Sequence, residues 1–171
     1  SAANIASIEG YLAATYSSNP GTSFCTGDGA STPCPCGNAS TNGGGCANGT
    51  GTGAVLSGSG AASVSLDSLV LSTTGLVSGQ PGLYFQANNA INGGAGTQVG
   101  DGSRCAGGGV IRLQVAAAGA NGESATTLSI AVKGGAVSGS VFRYQLWYRD
   151  PNTSPCGSNF NLTNGLEVAW Q

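Results

Sequence analysis

From about residue 53 onward, apolar side chains recur at every second position: Val64/Leu66, Ile111/Leu113/Val115, Leu128/Ile130/Val132 and Leu166/Val168/Trp170. A period of two is the pattern of a strand with one buried face. With turn residues taken as boundaries, it predicts strands at 54–57, 63–66, 69–72, 83–86, 110–115, 127–132, 141–149 and 166–170. Each is short, rich in Val, Leu, Ile, Tyr or Phe, and flanked by Gly, Ser, Asn or Asp. No segment after residue 20 carries convincing helical periodicity. Short strands at regular turn spacing predict an all-β fold, an antiparallel β-sandwich of the jelly-roll or immunoglobulin-like kind.

The sharpest alternation is VFRYQLWYRD. Phe142, Tyr144, Leu146 and Tyr148 share the face expected in the core, and Arg143, Gln145, Trp147 and Arg149 share the other. An aromatic flanked by arginines can stack or make cation–π contacts. Trp147 with Arg149 therefore reads as a subunit contact, or with Arg143 as a carbohydrate platform; the bland alternative is an outer sheet face packed under a loop.

Residues 1–18, SAANIASIEGYLAATYSS, stand apart as an arm. As a helix they put Ile5, Ile8, Leu12 and Tyr16 on one side, with Gly10 weakening the interior. As a strand they put Ala6, Ile8, Gly10, Leu12, Ala14 and Tyr16 on one face and Ile5, Ser7, Glu9, Tyr11, Ala13 and Thr15 on the other. The strand is the preferred reading. Residues 19–171 are then a single sandwich domain, with a loop region at 19–52.

That loop region holds four of the six cysteines, Cys25, Cys34, Cys36 and Cys46; Cys105 and Cys156 follow later. The chain has no histidine, which removes the commonest transition-metal ligand. Cys34 and Cys36 are too close for a zinc knuckle, and no Cys-x-x-Cys redox motif occurs. Three disulfides in an oxidising, extracellular setting are expected. Neighbours two apart in an extended chain point to opposite faces, so Cys34 and Cys36 should take different partners. Among the fifteen pairings the expectation is that the first four pair with one another, through Cys36–Cys46, and that Cys105–Cys156 ties the core.

Only 7 % of the 171 residues are charged and the net charge is −2, against about 25 % charged in an average globular domain. Five cations spread along the chain leave no footprint for nucleic acid. No apolar run is long enough to cross a bilayer, so no membrane insertion is expected; Ser1-Ala2-Ala3 reads as the product of signal cleavage. So uncharged a surface favours association or a glycan coat. Sequons at Asn38, Asn48, Asn152 and Asn161 are candidate glycosylation sites, although Asn, Gly, Ser and Thr are also ordinary turn formers.

The motif series CPCGN…GCANG, SVSLDSLVLSTTGL, GDGSRCAGG, YQLWYRDP and FNLTNGLEVAW resembles an uncharacterised Cys/Gly-rich β-domain that recurs in secreted and surface proteins of environmental bacteria. The resemblance spans roughly residues 22–171. It implies an extracellular address and a β-rich, disulfide-bearing module, and it brings no established activity or catalytic residue.

Catalytic chemistry would have to come from Glu9, Asp28, Asp67, Asp101, Glu123, Asp150 and Glu167. Asp101 with Asp150 is the one carboxylate pair worth a glycosidase test. Histidine-based nucleophilic catalysis is ruled out. No cofactor is expected; a calcium ion at Asp28, Asp101 or Asp150 is the nearest alternative. The expectation is therefore not an enzyme but a secreted structural subunit. It would assemble as a homopolymer through Ile5, Ile8, Leu12 and Tyr16, with Trp147 and Arg149 as a second contact. The alternative is a lectin-like or adhesive module of the cell surface that binds glycans.

Overall fold

Alternation as strict as that of residues 141–149 commits a segment to a sheet with one buried face. The computed structural model describes residues 20–171 and is organised around that segment. The early strands are β1 (Thr22–Phe24), β2 (Val55–Ser59), β3 (Val70–Thr74) and β4 (Pro81–Ala87). Two short two-stranded pairs follow, β5 (Asn89–Ala90) with β8 (Ala106–Gly107) and, between them in the chain, β6 (Thr97–Val99) with β7 (Gly102–Arg104). The later strands are β9 (Ile111–Ala117), β10 (Ser124–Ala125), β11 (Val141–Arg149), β12 (Phe160–Leu162) and β13 (Gly165–Ala169), and among the described residues there is one α-helix, α1 (Ile130–Gly134).

The larger sheet has the order β1-β13-β11-β4-β9, with β12 also paired to β11, and every pairing is antiparallel. A three-stranded sheet, β10-β3-β2, covers one of its faces. Between them Leu56 and Leu71 of the small sheet meet Tyr84, Tyr144, Leu146, Tyr148, Leu166, Val168 and Trp170, all at 4 % exposure or less. This is the expected all-β, disulfide-stabilised fold, arranged as two facing antiparallel sheets.

The core is rich in tyrosine, and a buried hydroxyl needs a partner. The Tyr144 hydroxyl donates to Gln86 Oε1 (3.0 Å) and accepts from Trp170 Nε1 (2.9 Å). Tyr84 donates to the Ser124 carbonyl at 2.9 Å, and Tyr148 accepts from Asn48 Nδ2 at 3.0 Å. Burial pushes the ionisation of all three phenols upward, against the pull of those partners.

The opposite face of the large sheet is clothed by loops. Gln145, on the side of β11 away from the main core, is completely buried. Its Oε1 accepts from Cys105 N (2.9 Å), and its Nε2 donates to the carbonyls of Ser103 (2.8 Å) and Thr163 (2.7 Å). One carboxamide thereby fixes the β7–β8 segment to the sheet. The residue 20–53 loops add backbone laid directly on backbone: a Cβ at Gly45 would sit 2.1 Å from the Leu162 carbonyl oxygen.

The disulfides join that outer layer in a pattern unlike the expected one. They are Cys25–Cys105, Cys34–Cys46 and Cys36–Cys156. Neither Cys36–Cys46 nor Cys105–Cys156 forms, because Gln145 holds Cys105 beside Cys25 at the end of β1 while the 150–159 loop folds over Cys36. Cys34 and Cys36 do take different partners. Cys34 is extended, whereas Cys36 has φ +47° in a 3-10 turn, so the divergence arises from a turn and not from strand alternation.

Two predicted strands are absent. Residues 63–66 form a turn, in which Ser63 Oγ accepts from Leu66 N and the Ser63 carbonyl accepts from Asp67 N. Local hydroxyl bonding of this kind competes with a sheet ladder, and Val64 and Leu66 are left exposed. Residues 127–132 run into α1 instead. Ser129 caps it by accepting from Val132 N at 3.0 Å, and Gly135 ends it at φ +65°. A five-residue helix is too short to show a 3.6-residue period. The short strands β1, β5–β8, β10 and β12 carry no alternation of their own.

The cross-links should differ in weight. In the chain-entropy argument, closing a loop of 12 residues (Cys34–Cys46) stabilises by about 3 kcal/mol, and closing one of 120 (Cys36–Cys156) by about 5 kcal/mol. Denaturant unfolding of the two paired Cys→Ser variants should show the larger loss for Cys36/Cys156. The reverse order would mean that the outer loops keep their structure without that tie.

Candidate functional site

Where the loops stop short of covering the outer face of the large sheet, a groove of about 230 Å³ remains. Leu83 and Phe85 of β4 form its floor with Trp147 of β11 and Leu162 of β12. Val99, Val110, Arg104 and Arg112 form its rim. Trp147 is half-buried and lies against Phe160, ring centroids 5.6 Å apart at a tilt of 37°. Two guanidinium groups and no carboxylate line the groove, so it presents an apolar floor edged with positive charge.

The expected partners of Trp147 have other duties. Arg143 pairs with Glu167, its register partner on β13, at 2.6 Å, and also donates to the Asn88 carbonyl. Gln145 is the buried anchor described above. Arg149 is exposed, opposite Phe160. The cations that do border the groove, Arg104 and Arg112, come from β7 and β9. Sequence reasoning missed them because only the sheet order brings those strands beside β11. The Arg104 Nε–H is already directed to the Ala106 carbonyl at 3.2 Å, which leaves Arg112, exposed on β9, as the outward-facing charge.

Asp101 and Asp150 are both fully buried and both engaged by protein donors. Asp101 accepts from Ser154 Oγ and Cys156 N through Oδ2, and from Ser158 N and Ser158 Oγ through Oδ1. It thus gathers the 154–158 loop beside the Cys36–Cys156 bridge. Asp150 accepts from Gly49 N at 3.1 and 3.0 Å through its two oxygens. Neither carboxylate faces a cleft, so the glycosidase geometry is not formed. Asp28 is exposed and accepts from Ala30 N in a local turn. Among the described residues no group of three His, Cys, Asp or Glu side chains is placed to share a metal ion.

Burial drives the Asp101 carboxyl upward, but the four hydrogen bonds to its charged form outweigh that and hold it below the ordinary value. Asp150 is raised, first by burial, then by the charge of Asp101, against the pull of Gly49 N.

The sequons divide sharply. Asn48 Nδ2 donates to the Gly75 carbonyl and Tyr148 hydroxyl, and Asn161 Nδ2 to the Cys46 and Ala47 carbonyls; both residues are buried. Asn38 Nδ2 donates to the carbonyls of Ala47 and Asp101. A glycan on any of these nitrogens would displace bonds the fold uses. Asn152 alone of the four is exposed, at φ +71° in the 150–159 loop. Ile5, Ile8, Leu12 and Tyr16 lie outside the described residues. Three disulfides indicate folding in an oxidising environment, and no helix among the described residues is long and apolar enough to cross a membrane.

The two aspartates should act on stability with opposite sign. The lowered Asp101 stabilises the fold above its unfolded value of 3.8, and that contribution disappears as pH falls through its folded value. The raised Asp150 works the other way: the fold gains as pH falls through its folded value. Asp101→Asn should cost about 1–3 kcal/mol at neutral pH and flatten the acid limb of a stability–pH curve. An unchanged acid limb would remove Asp101 from its place as the hub of the loop. In comparisons with known proteins, no family model, no curated protein and no solved structure matches this chain.

Proposed function

We propose that this chain is a structural subunit of a secreted, extracellular bacterial filament or surface polymer, joined head to tail through residues 1–18. One observation carries the reading: the two ends of the large sheet are complementary in what they offer. At one end is β1, which follows directly on the leader. At the other is β9, a seven-residue strand with β4 on one side and no strand on its outer side among the described residues. Four inter-strand spacings put β1 about 19 Å from β9.

The β2 edge of the smaller sheet is closed to such use. Asn164 Oδ1 accepts from Leu56 N of β2 at 2.8 Å, and its Nδ2 donates to the Leu56 carbonyl at 3.1 Å. Close backbone packing seals the same strand, since a Cβ on Gly58 would lie 2.6 Å from the Pro20 carbonyl oxygen. An unguarded long edge is a template for another strand. A donor from one copy meeting an acceptor at the far end of the next is a heterologous contact, and such contacts build open fibres. The leader's two faces suit strand addition, in which main-chain bonds supply affinity and alternate side chains supply specificity. The lectin-like alternative is less well supported, because Arg143 is committed to Glu167.

Electron microscopy and light scattering of the native protein should show polymers. Deletion of residues 1–18 should give a soluble, folded monomer with all three disulfides. Polymers that persist unchanged after the deletion would end the proposal.

A further inference from the structure

Resting on that reading, we infer that the acceptor site is the open edge of β9 together with the Trp147–Arg112 groove. Its occupant is residues 5–12 of another copy, added antiparallel with Glu9 opposite Arg112.

Exposed apolar side chains lie on both sides of β9. On the groove side Val110 is 44 % and Val115 67 % exposed; on the other, where α1 packs against β9, Val132 is 80 % exposed. A segment covering this edge must therefore be apolar on both faces, which few strands are. Residues 5–12 meet that demand: Ile5 and Tyr11 lie on one face, and Ile8 and Leu12 on the other.

Charge sets the register. Arg112 is exposed on the groove side of β9, opposite Phe85 in the ladder, and the groove contains no carboxylate to pair with it. Glu9 is the only charged residue in the leader, and it lies on the Ile5/Tyr11 face. With Glu9 opposite Arg112, an antiparallel ladder puts Tyr11 opposite Val110, at the mouth of the groove floored by Trp147 and Leu83. With the extra residue of β9 between Arg112 and Gln114 left unpaired, Ser7 then faces Val115 and Ile5 falls at the level of Ala117. On the other face Gly10 lies opposite the half-buried Ile111, with Ile8 and Leu12 to either side. Directly opposed side chains stand about 5 Å apart, close enough for each of these pairs to touch.

An arginine on a bare edge has a second explanation: it can be a guard that keeps strange strands away. The two roles differ in sign. If Arg112 guards, Arg112→Ala should speed assembly; if it receives Glu9, the same change should weaken it.

The test uses the full chain and measures the critical concentration for polymer formation by sedimentation. Arg112→Glu should raise it about tenfold, since the substitution replaces an attraction by like charges in register. Glu9→Arg alone should do the same, and the two combined should restore assembly to near the parent value. Near-ultraviolet dichroism checks that each variant is folded, which the exposure of Arg112 favours. Independently, Tyr11→benzoylphenylalanine, photolysed in assembled protein, should cross-link to a peptide of a second subunit containing Val110, Leu83 or Trp147. Cross-links confined to other surfaces, or faster assembly of Arg112→Ala, would overturn the acceptor site. Loss of assembly on deleting residues 1–18 would in that case still leave the leader-dependent polymer standing. Assembly indifferent to the deletion would overturn both.

Discussion

The structure depends on one requirement: the polar backbone of its loops must be satisfied without much apolar side chain to hold those loops down. Residues 20–53 are largely Gly, Ser, Thr, Asn and Cys, and such a segment has little to bury. It stays in place because buried carboxamides and carboxylates supply the hydrogen bonds. Gln145 holds the β7–β8 strip, Asn161 the 46–47 backbone, Asn38 the Asp101 carbonyl, and Asp150 the amide of Gly49. Every one of these groups would be costly to bury alone. Together they form a polar second layer over the sheet, and the disulfides restrict its escape. Cys36–Cys156 and the Asp101 cluster act on the same loop, one by covalent constraint and the other by charge-assisted hydrogen bonds.

This arrangement explains which parts of the fold were legible in the sequence. Strand β11 was readable end to end, because Phe142, Tyr144, Leu146 and Tyr148 alternate and one face meets a continuous core. The outer layer was not, because its order comes from contacts remote in sequence. Gln145 read as a polar residue on an outer face, yet it is as buried as Leu146, with partners some 40 and 18 residues away. The cysteine pairing failed for the same reason, since each long-range bridge follows the placement of a loop that no local pattern specifies. The turn at 63–66 misled in the opposite sense: Val64 and Leu66 alternate, but the intervening serines bond locally and the pair ends up in solvent. Capping carried more information than periodicity at Ser129 and Gly135, where the signal for α1 was present in one residue at each end.

The groove was half legible. Trp147 was correctly singled out as the aromatic of an outer face, but its arginine neighbours were taken from its own strand. In a sheet, the residues that share a surface are cross-strand partners as much as i and i+2 neighbours. Arg143 accordingly belongs to Glu167, and the charge that borders the groove comes from β7 and β9.

The direction of the strands bears on whether the leader serves its own subunit or another. Alternating antiparallel pairings make β1, β11 and β9 run the same way. A leader continuing straight into its own β1 would run parallel to β9, the wrong sense for the antiparallel ladder that matches Glu9 to Arg112. Length alone does not forbid a return, since nineteen residues can extend about 60 Å. The exit does discourage it. Pro20 is buried, and its carbonyl is packed against Gly58 of β2, while Gly21 at φ +127° sits against Leu166. Pro20 is therefore fixed beside Gly58 of β2 at the β1 end of the large sheet, at the opposite end of the strand order from β9. To reach its own β9 it would have to cross the sandwich and reverse. In the proposed polymer a second copy faces no such constraint, because its orientation is free until the contact forms, and the anchoring at Pro20 would then hold the joint between subunits.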